Sequence, residues 1–240
     1  MILVRNTPSP KRFYEAVRIG PGEGGLEILL DGKPVRTPAS AVLALPASAL
    51  AQGVAAEWDA QGDKIEPETM PLTKRACTAI DQVRQRESKI VEEIVSYAAS
   101  DLLCYRADGP EGLAEAQCTH WDPVLAWAGA EFGADFKTGA GISHLAQREA
   151  SLGKIRTAFD IYGFFELTPL HTMTTLTGSA LLVLAHSHGR LNADEIWAAA
   201  HVDEDWQISR WGEDGEATAR RTARRAELDA DARFLNLLRD

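Results

Sequence analysis

The sequence predicts an α+β protein, in which an N-terminal α+β domain with antiparallel hairpins is followed by an all-α C-terminal helical bundle. Three observations lead to this class. Short extended runs separated by turn residues occupy positions 12–46. From Pro46 onward, apolar residues recur mainly every three or four positions, as in helices. A chain-breaking Asp-Gly-Pro at 108–110 follows the last strand-like run, so we expect domains at residues 1–107 and 108–240.

Extended runs at the start of the chain predict strands, and their sequences are RFYEAVRI (12–19), LEILLDGKPVRTP (26–38) and AVLALP (41–46). Asp31-Gly32 is a tight-turn dipeptide between extended residues and predicts a hairpin. The glycine-rich GPGEGG at 20–25 invites comparison with phosphate-binding loops. Those loops lead into a helix, whereas this segment leads into a strand, so we predict a flexible hairpin turn.

The first predicted helix lies within residues 46–62, where Leu50, Val54 and Trp58 recur every four positions. Ser48 stands where it could help to cap the helix. The stripe favours core packing for Trp58, which makes it a weaker candidate for partner contact. A polar connector at 61–72, helical patterns at about 73–100 and a short strand at 101–107 complete this domain.

The second predicted domain has helices near residues 111–132, 147–161, 166–187, 192–211 and 215–238, with a small hairpin within 134–146. The 166–187 helix is apolar almost all round and should be central. Pro169 fits its first turn, and Gly178-Ser179 would lie inside it. The last helix carries a broad basic face that predicts a solvated, salt-bridged surface, formed by Arg220, Arg221, Arg224 and Arg225.

The net charge and the length of the longest apolar run restrict the classes of function. The 240 residues carry a net charge of −10, which disfavours binding to nucleic acids or to anionic membrane surfaces. The longest strongly apolar run, at 178–185, is too short for a membrane span, and the N-terminus lacks the features of a secretory signal. The three cysteines, Cys77, Cys104 and Cys118, form no C-x-x-C pair. We therefore expect a soluble protein with reduced thiols in a cytosol-like compartment.

Residues 201–214, HVDEDWQISRWGED, combine a histidine, several carboxylates and two tryptophans. Read as one helix, the segment belongs to a single stripe made of Trp197, His201, Glu204, Ile208 and Trp211. Trp206 falls on the flanking face. Gly212 looks like a helix stop, so Glu213 and Asp214 would lie near the N-terminus of the last helix, where negative charge is favourable.

The same segment raises a catalytic alternative, a metal-dependent hydrolase that uses His201 and nearby carboxylates. His201 can meet Glu204 or Asp205 on one helical face. A second set of ligands is missing from the sequence, and so is a recognisable nucleophile motif. We therefore expect no catalytic residue, no metal and no cofactor, and we interpret the segment as a half-buried helix with an exposed contact surface.

Several segments taken together resemble one protein family: LLDGKPVRTPAS, LALPASALAQGVAAEWDAQG, IEPETMPLTKRACTAID, SDLLCYRA, HWDPVLAW, TTLTGSALLVLA and HVDEDWQISRWGED. In order and in register, from about residue 12 to 235, they are similar to the assembly chaperone of the F-type ATP synthase catalytic head that binds the α subunit. This family occurs in mitochondria and in some bacteria.

The resemblance implies a chaperone that holds newly made α subunit and prevents its aggregation until the β subunit arrives. Members are not known as enzymes and need no cofactor. The expected α-binding surface consists of Glu204, Asp205, Trp206, Trp211, Glu213 and Asp214, with Trp58 as a weaker candidate. The expected location is the bacterial cytoplasm, or the mitochondrial matrix for a processed form. A helical interaction module with another client is the remaining alternative, and the sequence specifies no oligomeric state.

Overall fold

A small antiparallel sheet lies near the start of the chain in the computed structural model, which describes residues 10–239. Its strands are β1 (Val17–Gly22), β2 (Gly25–Leu30), β3 (Lys33–Pro34) and β4 (Ala44–Leu45). The central strand β2 pairs antiparallel with the other three. Helices make up most of the remaining chain, so the predicted α+β class with a helical C-terminal part is confirmed.

Both predicted hairpin turns are present. The first is shorter than GPGEGG, because β1 continues through Gly22 and pairs that residue with Gly25. In the second turn, Asp31 and Gly32 adopt φ values of 48° and 81°, the left-handed geometry that suits the twist of a two-residue hairpin. The Asp31 carboxylate also accepts a hydrogen bond from the Ala16 amide at 2.9 Å.

The first strand begins later than predicted, at Val17 instead of Arg12. The start of the predicted strand bonds elsewhere: the Arg12 amide donates to the Asp63 carbonyl at 3.0 Å, and Lys11 forms an isolated bridge with Lys64. These bonds attach the segment to the connector after the first helix, so it does not extend the β1 ladder.

Two helices complete the N-terminal part, α1 (Ser48–Asp59) and α2 (Pro71–Thr78). Leu50 and Val54 of α1 are buried, as the stripe predicts. The expected cap by Ser48 is wrong, because Ala47 is the N-cap residue and Ser48 accepts a bond from Gln52 instead. The N-terminus of α2 is capped from a distance, since the Glu57 carboxylate accepts from the Leu72 amide at 2.7 Å and the Thr73 amide at 2.8 Å.

The remaining helices are α3 (Glu87–Ala99), α4 (Glu111–Phe132), α5 (Glu149–Phe159), α6 (Phe164–Thr177), α7 (Ala180–Ser187), α8 (Ala193–Ala200), α9 (Val202–Trp211) and α10 (Gly215–Arg239). Two short strands, β5 (Tyr105–Arg106) and β6 (Gly139–Ala140), pair in parallel. The hairpin predicted within 134–146 is therefore wrong, because β6 pairs with a strand that precedes α4. The strand predicted at 101–107 is reduced to β5, preceded by a 3-10 turn at Leu102–Cys104.

The predicted central helix at 166–187 is two helices. Gly178 takes a left-handed φ of 69° and ends α6, and the Ser179 hydroxyl caps α7 by accepting from the Leu182 amide at 3.0 Å. Gly178-Ser179 is thus a helix junction. Pro169 also lies inside α6 instead of in its first turn, because that helix begins earlier, at Phe164.

The helix predicted at 192–211 is likewise broken, at His201, whose φ of −119° and ψ of 21° are not helical. His201 ends α8 and precedes α9. Its ring stacks on Trp197 with centroids 3.7 Å apart, and its Nδ1 lies 2.9 Å from the Trp197 carbonyl oxygen. The single stripe from Trp197 to Trp211 is therefore wrong, because the helical rotation is reset at this residue.

Asp101 precedes the 3-10 turn at Leu102–Cys104, and its fully buried carboxylate lies against the first turn of α7. It accepts hydrogen bonds from the amides of Leu103, at 3.2 Å, and Leu181, at 3.1 Å. Burial raises the pKa of Asp101 to about 6, although bonds from Ser179 and from nearby amides act in the opposite direction. The carboxylate joins the turn before β5 to the N-terminus of α7, where the helix dipole favours a negative charge.

The chain divides into two compact units. Described residues up to Gln82, with those from Arg233 onward, form the first unit, and Val83–Ala232 form the second. The domain boundary expected near residue 107 stays a prediction. In the described part of the chain, no helix combines the length and the apolarity needed to cross a bilayer.

Candidate partner-binding surface

The end of α9 and the start of α10 enclose a cleft of about 350 Å³ in the second unit. Five of the six residues expected to contact a partner line it: Glu204, Asp205, Trp211, Glu213 and Asp214. We call these five residues the acidic corner. Their sequence separation is small, but the chain must reverse between the two helices to bring them around one cleft.

The reversal follows from two residues of the connection. Gly212 ends α9 with a φ of 84°, a value that glycine adopts without strain. Asp214 then caps α10 by accepting from the Ala217 amide at 2.9 Å. The predicted helix stop at Gly212 is confirmed, and Glu213 and Asp214 do lie at the N-terminus of the last helix.

Trp211 is the aromatic residue of the acidic corner, and 79% of its surface is accessible. It occupies the last position of α9, beside the half-buried Ile208. A large aromatic ring left in solvent keeps its apolar area available for a partner. Aromatic side chains are enriched at protein interfaces, and the rims of those interfaces are polar.

Trp206, the sixth predicted residue, lies outside the cleft. Its ring approaches Gly112 of α4 so closely that a Cβ added there would come within 2.6 Å of the ring. The Arg210 guanidinium lies 4.7 Å from the ring centroid. Trp206 is half-buried in these contacts, and its contact with a partner stays a prediction.

Arg221 of α10 neutralises part of the acidic corner. Its guanidinium lies 3.1 Å from the Glu204 carboxylate, and it also bonds the Asp205 carboxylate. Residues 203–221 therefore combine six acidic side chains with three arginines. Because Glu204 and Asp205 already have a cationic partner, the charges most available to another protein are those of the exposed Glu213 and Asp214. No sequence pattern predicts this pairing, since the residues lie 16 or 17 positions apart.

Ion pairs and hydrogen bonds also attach the rest of the first half of α10. Arg225 pairs with Asp194 and Asp229, Arg220 pairs with Glu216, and Arg224 donates to the Leu176 carbonyl at 2.6 Å. The predicted salt-bridged face of the last helix is therefore confirmed. From Gly215 to Glu227 no side chain is fully buried, and burial begins at Leu228.

His201 is placed for packing rather than for ligand binding. Its side chain is buried against Trp197, and this burial lowers the pKa of His201. Glu204, its expected partner, bonds Arg221 instead. Across residues 10–239, no three side chains of the types that hold metals come together. The geometry therefore offers no support to the hydrolase alternative.

Trp58 lies in the first unit and is half-buried rather than fully in the core. Its ring meets Tyr14 edge-on at 5.8 Å, and its carbonyl accepts from the Tyr14 hydroxyl at 2.6 Å. One side of Trp58 lines a groove of about 460 Å³. The predicted core packing thus accounts for only part of this side chain.

Comparison with known proteins gives consistent results. Residues 11–129 match the family described as ATP12 chaperone protein. The crystal structure of Atp12 from Paracoccus denitrificans has the same fold, with a TM-score of 0.92 and 39% sequence identity over 95% of this chain and 98% of that one. A proposed chaperone from Agrobacterium tumefaciens also gives a TM-score of 0.92, with 44% identity over 96% of this chain and 87% of its own.

A more distant relative comes from a eukaryote. The mitochondrial protein atp12 of Schizosaccharomyces pombe is 24% identical over 217 residues, which cover 85% of this chain and 75% of that protein. The similarity therefore extends well beyond residue 129 and includes both compact units.

Proposed function

The chain belongs to the ATP12 chaperone family, a family of chaperones rather than enzymes, and we propose that its client is the free α subunit of the F-type ATP synthase catalytic head. In this proposal the chain covers an apolar surface of α that would otherwise aggregate. It releases α when the β subunit takes its place. The family resemblance of the whole chain supports the proposed client, and the geometry of the acidic corner supports the proposed contact surface.

The exposed ring of Trp211 beside Glu213 and Asp214 is the observation that carries the contact surface. The ring supplies apolar area that a partner can bury, while the carboxylates speed the encounter with a basic surface and are screened by salt. An escort that leaves by competition needs this mixture, because a purely apolar interface of the same area would be released slowly. Trp206 and Trp58 are secondary members of the proposal.

The compartment is proposed from the relatives. The fission yeast relative is named as mitochondrial, and the solved relatives come from two bacteria. We place this chain in the bacterial cytoplasm, or in the mitochondrial matrix for a processed form, where newly made α subunit is present.

The client proposal predicts selective protection. Purified chain should co-purify with α subunit expressed alone and suppress its aggregation, measured by light scattering, but should have no such effect on β subunit expressed alone. Equal protection of both subunits would point to an unselective interaction module. If α subunit did not co-purify with the chain, the proposal that α is its client would be refuted.

The contact surface makes its own prediction through Glu213→Lys. This reversal should weaken the affinity for α about tenfold at low salt, because an exposed charge at an interface acts through encounter and complementarity. Glu213 is exposed and, among residues 10–239, its side chain accepts only one long hydrogen bond, of 3.4 Å, from Thr218, so the melting temperature should stay near wild type. Glu131→Lys, at an exposed position of α4, gives the same change in net charge and should bind α normally.

A lower melting temperature for Glu213→Lys would assign that residue a structural role. If Glu213→Lys bound α subunit with wild-type affinity at low salt, Glu213 would not belong to the contact surface, but the proposed client would be unaffected.

A further inference from the structure

The lining of the cleft at the acidic corner combines four carboxylates with the guanidinium of Arg221. That guanidinium pairs with Glu204 and Asp205, and its side chain is only 19% exposed. Glu213 and Asp214 form no ion pair with any of the residues 10–239. A basic side chain of a partner that enters the cleft therefore meets two carboxylates without a cation and two that already hold one.

The pair between Arg221 and Glu204 is close but poorly aligned. Arg221 Nη1 lies 3.1 Å from the Glu204 carboxylate, yet this buried nitrogen has no aligned hydrogen-bond acceptor within the described part of the chain. The attraction between the charges remains at this distance, but the directional part of a hydrogen bond is lost. A guanidinium that is not attached to α10 can adopt an orientation that bonds both carboxylates, so it can compete with Arg221 for them.

Arg221 has a second contact that does not involve the carboxylates. Its guanidinium carbon lies 5.3 Å from the centroid of the Trp197 ring, and that of Arg225 lies 5.6 Å from the same centroid. The attraction between a cation and an indole ring does not require Glu204 or Asp205. Displacement from the carboxylates therefore removes only part of the contacts of Arg221, which favours its exchange with another cation.

We propose that Arg221 is an intramolecular competitor of the client. In the free protein its guanidinium neutralises Glu204 and Asp205. In the complex a basic side chain of the client takes these two carboxylates, while Arg221 keeps its contact with Trp197. The inference rests on the contact surface of the proposed function, and it adds that the protein's own arginine lowers the affinity for the client. Such a contact suits an escort that must release what it binds.

The sign of the change in affinity tests the competition. Arg221→Gln frees Glu204 and Asp205, so it should bind α about fivefold more tightly than wild type at low salt, which is the upper end of the range for a partly exposed ion pair. Calorimetric titration measures the affinity. If Arg221 only held the structure together, its replacement would weaken the binding of α or leave it unchanged.

Arg220→Gln is the matched control for Arg221→Gln. It makes the same change in net charge at the neighbouring position of α10. Arg220 pairs with Glu216 on the same helix, and neither residue lines the cleft. Its affinity for α should therefore stay within about twofold of wild type. An equal gain in both variants would reduce the effect to net charge and would refute the competition.

The Nε–H signal of Arg221 reports its displacement directly and does not require α. Arg221→Gln identifies this signal by removing it from the ¹H–¹⁵N spectrum of the full chain, and Trp211→Phe identifies the indole signal of Trp211. The probe is the peptide Ac-Ala-Arg-Ala-Arg-Ala-NH2, titrated to ~5 mM at constant ionic strength, a range that suits a weakly bound small ligand. We expect both signals to shift with the same midpoint, and Ac-Ala-Glu-Ala-Glu-Ala-NH2 should shift neither.

The outcomes separate this inference from the proposed function. If wild type did not bind α but the arginine peptide shifted the Arg221 signal, the client would be wrong and the competition would hold. If α bound to wild type and bound Arg221→Gln no more tightly, the competition would be refuted and the client would stand. A Trp211 signal that shifted while the Arg221 signal stayed in place would also refute it, because the cation would then bind beside an undisturbed Arg221.

Discussion

Replacing Trp211 with alanine is expected to weaken the binding of α subunit at least about 30-fold, which corresponds to about 2 kcal/mol and is the usual size of a tryptophan hot spot. The reason is the position of the ring. It is 79% exposed at the end of α9, so the free protein loses little packing when the ring is removed, while the complex loses the apolar area buried by the partner. Calorimetric titration of α into each variant measures the effect.

Ile161→Ala is the matched control for Trp211→Ala. Ile161 is 72% exposed and lies in the same unit, in the turn between α5 and α6. Its truncation removes exposed apolar area without touching the acidic corner, so the affinity for α should stay within about twofold of wild type. If both truncations weakened binding equally, α would bind non-specifically to exposed apolar side chains, and the acidic corner would have no special role.

Replacing Asp101 with alanine is expected to lower the free energy of unfolding at neutral pH by about 3 kcal/mol, since the variant leaves two buried amides without an acceptor. Those amides belong to Leu103 and Leu181, and they lie at the two elements that the carboxylate joins. A small cavity adds to the loss. Urea denaturation measures it, and Glu131→Ala, at an exposed carboxylate of α4, gives the reference for removal of a surface charge.

The pH dependence of stability tests the state of the same carboxylate. Burial raises the pKa of Asp101 from 3.8 to about 6, so the folded protein binds this proton more tightly than the unfolded chain does. The resulting stabilisation is complete below pH ~4 and is lost as pH rises through about 6, a loss of ~3 kcal/mol for this group. Asp101→Asn should lack this component, so the difference in stability between wild type and Asp101→Asn should become less favourable to wild type from pH 4 to 7. A constant difference would show that the pKa of Asp101 is close to its ordinary value.

The predictable parts of the fold were those set by local chemistry. Asp31-Gly32 places two residues where a left-handed turn is required, and the periodicity of residues 111–132 gives the bounds of α4. The helix breaks at Gly178 and His201 were missed because apolar periodicity continues across both. A glycine inside a helix costs only about 1 kcal/mol, so residue type alone does not distinguish an interior glycine from a terminal one. His201 carries no turn preference, and its stacking on Trp197 is a contact that periodicity does not reveal.

The candidate surface was predictable to a similar degree. Short spacing along the chain, with the helix stop predicted at Gly212, was enough to place Trp211, Glu213 and Asp214 together. The pairing of Arg221 with Glu204, and the burial of Asp101 against α7, depend on contacts between distant parts of the sequence. Periodicity describes one element at a time, so it contains no information about which neighbouring element supplies a counter-charge.

The weak attachment of the first half of α10 affects how the protein unfolds locally. Ion pairs of its arginines attach this stretch to neighbouring elements. No side chain from Gly215 to Glu227 is fully buried, and the first buried apolar side chain is that of Leu228. Ion pairs at a surface contribute little free energy, and salt weakens them further. Amide hydrogens of this stretch should therefore exchange with solvent through local unwinding, well before the residues around Leu228 become accessible by global unfolding. The wall of the cleft that α10 provides can thus loosen while the rest of the unit stays folded.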